Sequence, residues 1–144
     1  MIPFTIQRLD HVVFRATDLG RSVDFYRRVL GCQVVKERLD LGLVHLRAGV
    51  SMIDLVSVSG KLGLAGGVAP GHEGRNVDHL CLRVEPFDEK SMVQHLQNCG
   101  VTPRGPAMVN FGAEGEGPSL YLSDPDGNVI ELKGYTTTDS GSAT

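Results

Sequence analysis

One heptapeptide occurs twice. Leu9-Asp-His-Val-Val-Phe-Arg15 returns as Val77-Asp-His-Leu-Cys-Leu-Arg83, with Asp-His and the closing Arg in register. The segments after the two copies repeat as well. Residues Leu19 to Leu30 carry Leu19, Val23, Tyr26 and Leu30 at helical spacing behind two N-cap candidates, Thr17 and Asp18, and Gly31 stops the pattern. Asp88 to Asn98 is the second helix, with Met92, His95, Leu96 and Cys99 as its expected inner face and Gly100 as its stop. Near the end of each copy stands an acid inside an apolar strand, Met52-Ile-Asp-Leu55 and then Val129-Ile-Glu-Leu132. A repeat of this length means two copies of one supersecondary unit, neither of which buries its apolar face alone.

The first copy reads β-α-β-β-β, with strands at 9–15, 32–39, 41–47 and 51–58 around the helix. In the second, residues 101–104 open a strand that Pro103 and Pro106 keep short, and 110–118 read as a Gly/Glu loop. The closing stretch, Ser119 to Lys133, is strand, turn, strand. Asp124-Pro-Asp-Gly127 is strong turn chemistry: Pro presets φ, Gly supplies positive φ, and Asp side chains bond nearby backbone N–H groups. The fold class expected is therefore α+β, with tandem βαβββ modules over about 7–59 and 76–135 in one domain of residues 1–135. The Gly-rich segment 60–75 reads as a flexible connection or lid, because it lacks phosphate-loop order and no helix pattern comes after it. Residues 136–144 are polar and expected to be a disordered tail.

The chemistry stems from the repeat. His11 and Asp54 in one copy correspond to His79 and Glu131 in the other. Packed about a pseudo-two-fold axis, the copies would bring two imidazoles and two carboxylates together, a donor set for Zn, Ni, Co, Fe or Mn. A lone histidine among apolar residues is more often a core residue than a ligand. A duplicated packing histidine, however, has no reason to recur with a duplicated acid. Asp54, being shorter than Glu, is the weaker ligand candidate. Cys81 shares the side of His79 and reads as small apolar filler. His45, His72 and His95 have no repeat partner and are set aside. Three cysteines without a CxxC argue against a disulfide framework or a thiolate zinc site and favour a reducing, cytoplasmic location. A net charge of −3 gives no basis for binding nucleic acid. No apolar run approaches spanning length, and the N-terminus lacks a signal-peptide core, so no membrane partner is expected.

Leu9-Asp-His11, Ser22-Val-Asp-Phe-Tyr26 with Leu30-Gly31, Val77-Asp-His79, and Asp124-Pro-Asp-Gly-Asn-Val-Ile-Glu-Leu132 together resemble the signatures of the vicinal oxygen chelate superfamily. That group includes glyoxalase I, bleomycin resistance proteins and extradiol dioxygenases, and the resemblance covers nearly the whole chain. It implies paired βαβββ modules forming a cupped, incomplete β-barrel around a metal cleft. It implies one divalent ion on His11, His79 and Glu131, with Asp54 at the position of a fourth ligand. Glyoxalase I–like enzymes carry Glu where this chain has Asp54. The reading is a metal-dependent lyase or isomerase that chelates vicinal oxygens of a small substrate and stabilises an enolate or oxyanion, with Glu131 or Asp54 moving the proton. An Fe(II) dioxygenase, a fosfomycin-type thiol transferase and a non-catalytic drug- or metabolite-binding protein are the alternatives. A homodimer is expected.

Overall fold

In a computed structural model of the chain, residues 1, 5–75 and 77–135 are described. The expected tail at 136–144 lies outside the described residues, as does Asn76. The chain divides into two compact units, residues 1–75 and 76–144.

The first unit contains β1 (His11–Ala16), α1 (Leu19–Arg28), β2 (Gln33–Arg38), β3 (Leu43–Ala48) and β4 (Ser51–Ser57). Its sheet has the order β1-β4-β3-β2, with β1 parallel to β4 and the other pairs antiparallel. A parallel neighbour requires a crossover, and α1 supplies it. The Asp18 carboxylate accepts from Arg21 N–H at 2.9 Å and so caps the helix, while Gly31 ends it at φ 72°. Phe14, Leu46, Ile53 and Leu55 are buried, and α1 packs on β4. The buried helix face is Ser22, Phe25, Tyr26 and Val29, not the stripe Leu19, Val23, Tyr26 and Leu30 that the spacing predicts. Both stripes contain Tyr26. Turning the helix by one residue brings in Phe25, edge-on to Tyr26 at 5.2 Å, and Tyr26 stacks with Phe14 at 6.4 Å.

The Gly-rich segment is anchored at its start rather than loose throughout. A 3₁₀ turn, Gly63–Gly66, lies so close to β4 that a Cβ on Gly63 would fall 1.8 Å from the Ser57 carbonyl oxygen. Arg15 reaches from β1 to clamp it. Its guanidinium donates to the carbonyls of Gly63 at 3.0 Å, Gly67 at 2.7 Å and Val68 at 2.8 Å.

The second unit contains β5 (Leu80–Arg83), α2 (Glu89–Asn98), β6 (Met108–Gly112), β7 (Gly115–Ser123) and β8 (Val129–Lys133), with sheet order β5-β8-β7-β6. Again the first strand is parallel to the last. Leu96, Leu120, Leu122, Ile130 and Leu132 are buried. Two expectations are corrected. The strand placed at 101–104 lies at 108–112, beyond Pro103 and Pro106, which cannot donate to a ladder. The expected loop at 110–118 is a β-hairpin, β6 to β7. Two of its glycines, Gly112 and Gly117, are there for close packing: a Cβ on Gly117 would meet the Gly134 carbonyl oxygen at 2.1 Å. On α2, Leu96 is buried but His95 is exposed. The Asp124 turn forms as its sequence predicts, the carboxylate accepting from the backbone N–H groups of Asp126 and Asn128 at 2.9 and 2.8 Å, with Gly127 at φ 78°.

Candidate metal centre

Strand alternation turns one face of each sheet toward its helix and the other away from it. In the second unit Cys81, Glu131 and Tyr121 lie side by side across β5, β8 and β7, on the face opposite Ile130 and Leu132. Since β8 is interior to the sheet, Glu131 is 5% exposed. Such a carboxylate needs partners, and it has them. Ser119 Oγ donates to Oε1 at 2.5 Å, and His79 Nε2 lies 3.0 Å from Oε2. Burial alone would push the Glu131 pKa up. Hydrogen bonds from Ser119, Asn110 and Cys81, together with the nearby His79, outweigh it and hold the group below its ordinary value. The same carboxylate acts on its neighbours: after burial itself, Glu131 is the main cause of the raised Cys81 pKa, about 11, and of the raised Tyr121 pKa. The His79 ring meets Tyr121 edge-on at 5.7 Å.

The first unit carries the corresponding pieces with a different pairing. Asp54 is 6% exposed, and its Oδ2 lies 3.0 Å from Nδ1 of His45, directly opposite on β3. Oδ1 is buried without a hydrogen-bond partner among the described residues. His11 shares the face of Asp54, and its pKa is raised first by a hydrogen bond to Asp10 and further by the charge of Asp54. The His–acid pair that repetition suggests is thus formed in the second unit, whereas in the first His45 takes the acid.

Both Asp-His dipeptides do the same thing. Asp10 Oδ1 lies 2.7 Å from Nδ1 of His11, and Asp78 Oδ2 lies 2.7 Å from Nδ1 of His79. A carboxylate at Nδ1 accepts a hydrogen bond from the ring N–H there and leaves the Nε2 lone pair for a cation, the arrangement that orients metal-ligating imidazoles. With that tautomer, Nε2 of His79 and Oε2 of Glu131 are two acceptors at 3.0 Å, a distance that calls for a proton or a metal ion between them. In the first unit Oδ1 of Asp54 has no hydrogen-bond partner among the described residues. In the second, imidazole nitrogen beside carboxylate oxygen, as at His79 and Glu131, is a donor pair that suits a divalent ion of borderline softness. Among the described residues of either unit, no three His, Cys, Asp or Glu side chains are grouped so as to hold a metal ion.

Sequence reasoning sets His45 aside and gives no role to Ser119, Tyr121 or Lys133. Hairpin register is the missing signal. A turn at Gly49-Val50 places His45 opposite Asp54, and the Asp124 turn places Tyr121 opposite Glu131. A cavity of about 370 Å³ opens beside this group, lined by His79, Cys81, Glu131 and Lys133 from the strand face and by Phe111 and Glu114 from the β6–β7 hairpin. No helix among the described residues is long and apolar enough to cross a membrane.

The model of the Glyoxalase/Bleomycin resistance protein/Dioxygenase superfamily matches residues 8–132. The virulence protein STM3117 of Salmonella typhimurium is 28% identical over 93% of this chain and 88% of its own length. Its crystal structure superposes with a TM-score of 0.76 at 26% identity, covering 92% of this chain and all of the other. Lactoylglutathione lyase of Escherichia coli O157:H7 is 29% identical over 87% of this chain and 90% of its own. The fold is shared by a variant of the fosfomycin resistance protein FosX of Listeria monocytogenes, solved in complex with Mn(II), at a TM-score of 0.66 and 16% identity over 92% of this chain and 94% of that one. With its two α+β modules in tandem, this chain belongs to the glyoxalase, bleomycin resistance protein and dioxygenase superfamily.

Proposed function

We propose that the protein is a divalent-metal-dependent enzyme of the glyoxalase-like type, acting on a small substrate with two neighbouring oxygens. His11, His79 and Glu131 would hold the ion, with Asp54 as the fourth ligand or as a base. The observation that supports this most is the ordered His79–Glu131 pair, its imidazole fixed through Nδ1 by Asp78 and its carboxylate fixed by Ser119. A bound ion would supply Lewis-acid polarisation of the two substrate oxygens and stabilise negative charge developing there.

The rest of the chemistry belongs to the side chains. Asp10 and Asp78 keep the two imidazoles in the tautomer that presents Nε2. Burial of Glu131 and Asp54 keeps their carboxylates out of water, where a proton taken from substrate carbon is exchanged slowly with solvent. Asp54 offers Oδ1 as the acceptor atom, since His45 occupies Oδ2. Lactoylglutathione lyase, among the relatives, lends the lyase and isomerase reading its weight. The protein would work as a homodimer in the cytoplasm.

Metal analysis of protein purified without chelator tests the reading, with His79→Ala as control. About one divalent ion per chain, lost in the variant, is the expected result. Protein that neither carries nor takes up Ni, Co, Zn, Mn or Fe would overturn it. Turnover of hemithioacetal and other vicinal-oxygen substrates by the loaded protein, with Asp54→Asn and Glu131→Gln beside it, then assigns the base.

A further inference from the structure

Of the cations lining the cavity, Lys133 is the one that forms no ion pair among the described residues. It is 2% exposed, on the β8 face that carries Glu131. Its ammonium donates to two neutral acceptors, the Asn110 carbonyl and the Gly117 carbonyl at 3.0 Å, and lies 5.0 Å from the centre of the Tyr135 ring. Among the described residues no carboxylate forms an ion pair with it. An ammonium has three N–H donors, so one remains unused here. A buried cation solvated only by carbonyl dipoles and a ring face lacks the anion that normally offsets its desolvation. The other cation of the cavity, Arg83, is already matched by Glu114 at 2.5 Å and Glu85 at 3.1 Å. Gly112 keeps the space over the lysine open, since a Cβ there would come within 2.6 Å of Lys133 Cε and of the Tyr135 hydroxyl.

The fold does not require a cation at this position. Val56 stands two residues after Asp54 as Lys133 stands two residues after Glu131, and Val56 is buried on the equivalent face. Lysine is thus a feature of the second copy alone, and it lines the cavity.

We propose that Lys133 is a specificity-determining residue that binds a carboxylate of the substrate, so that the substrate is an acid bearing its anionic group apart from the chelated oxygens. The proposal rests on the reading of this cavity as the substrate site beside the metal. Lys133 is two residues along the strand from Glu131, roughly 7 Å at ~3.3 Å per residue. That spacing suits a five-carbon chain with chelating oxygens at one end and a carboxylate at the other.

Calorimetric titration of the full chain with two probes of similar length tests it. 2-Oxoglutarate carries the distal carboxylate, and 2-oxohexanoate ends in a methyl group. Both titrations are run with and without added Ni(II). With the ion present, 2-oxoglutarate is expected to bind at least about tenfold more tightly, and Lys133→Met to remove the preference while leaving 2-oxohexanoate affinity unchanged. The comparison of the two probes on the wild type is itself a readout that needs no variant. Equal, Ni-dependent affinities for the two probes would overturn the role of Lys133 and leave the metal reading standing. Failure of 2-oxoglutarate to bind with Ni(II) present would overturn the role of Lys133, and binding of both probes that is indifferent to Ni(II) would overturn the metal reading of the cavity.

Discussion

The Arg15 clamp makes a quantitative prediction about a segment that composition alone describes as loose. One of its three hydrogen bonds, to Gly63, is part-buried, and two are exposed. At about 1.5 kcal/mol for the first and about 0.5 kcal/mol for each of the others, Arg15→Ala loses roughly 2.5 kcal/mol, and the lost stem packing brings the cost to about 3 kcal/mol. Gly66→Ala attacks the same clamp from the other side. Its new Cβ would lie 2.3 Å from Arg15 Nε and 2.6 Å from Cζ. The guanidinium cannot yield without releasing its carbonyls, so this substitution also costs about 2 kcal/mol, after the ~0.5 kcal/mol that alanine gains over glycine in the unfolded state. Once Arg15 is alanine, Gly66→Ala has nothing to displace. The double variant should therefore cost about 2.5 kcal/mol, against about 5 kcal/mol if the effects were independent. Urea unfolding followed by circular dichroism for the four proteins of the cycle measures this coupling directly. Additivity within about 0.5 kcal/mol would refute the clamp, as would a Gly66→Ala protein as stable as the wild type.

Other expectations rest on single groups. Ser119→Ala leaves a buried oxygen of Glu131 without its donor and is expected to destabilise the metal-free protein by about 1.5–3 kcal/mol in thermal or urea unfolding; a loss below about 0.5 kcal/mol would mean that the bond carries no net weight. Asp78→Asn and Asp10→Asn should each weaken metal binding by about tenfold in competition with a chelating dye, because each removes the carboxylate that holds Nδ1 of its histidine. Burial pushes the Cys32 thiol up to about 11, so at pH 8 only about one thiol in a thousand is ionised there. The rate of its alkylation by iodoacetamide, read by mass spectrometry, should keep rising with pH well past the ordinary thiol range, and a plateau near pH ~9 would contradict this. Asp88→Ala removes the acceptor of the Ser91 N–H at the start of α2 and should cost about 1 kcal/mol.

What was legible in the sequence is what backbone chemistry dictates. Asp18 as one of two cap candidates, Gly31 and Gly100 as stops, and the Asp124–Gly127 turn are set by local hydrogen bonding and φ, and each stands where its residue type places it. The face of α1 was not legible at single-residue precision, because Leu19, Val23 and Leu30 are as apolar as Phe25 and Val29. Only the aromatic contact of Phe25 and Tyr26 against the sheet decides between the stripes. The hairpin at 108–123 was hidden for another reason. Glycine signals both loop and close approach, and Gly117 is the second kind, packed under the Gly134 carbonyl.

At the candidate site the repeat was a good guide to position and a poor one to partnership. Duplicated backbones keep the strand ends, the Asp-His dipeptides and the interior acid in register, because these are set by ladder geometry and by a contact between adjacent residues. Across the ladder nothing enforces the same side chain. Glu131 faces Tyr121 where Asp54 faces His45, and Cys81 stands beside Glu131 where Val13 stands beside Asp54. The consequences are electrostatic. Asp54 sits opposite the His45 imidazole and keeps one oxygen without a partner among the described residues, whereas Glu131 is held by Ser119 and approached by His79. A carboxylate fixed by Ser119 on one oxygen, with the other facing Nε2 of His79, is the better placed ligand, and one with an unpartnered oxygen is the better place to receive a proton. If the two acids have divided these roles, Glu131→Gln should abolish metal retention, while Asp54→Asn should leave metal content near one ion per chain and lower turnover alone. Loss of metal in both variants to the same degree would show that the copies diverged in sequence without dividing the chemistry.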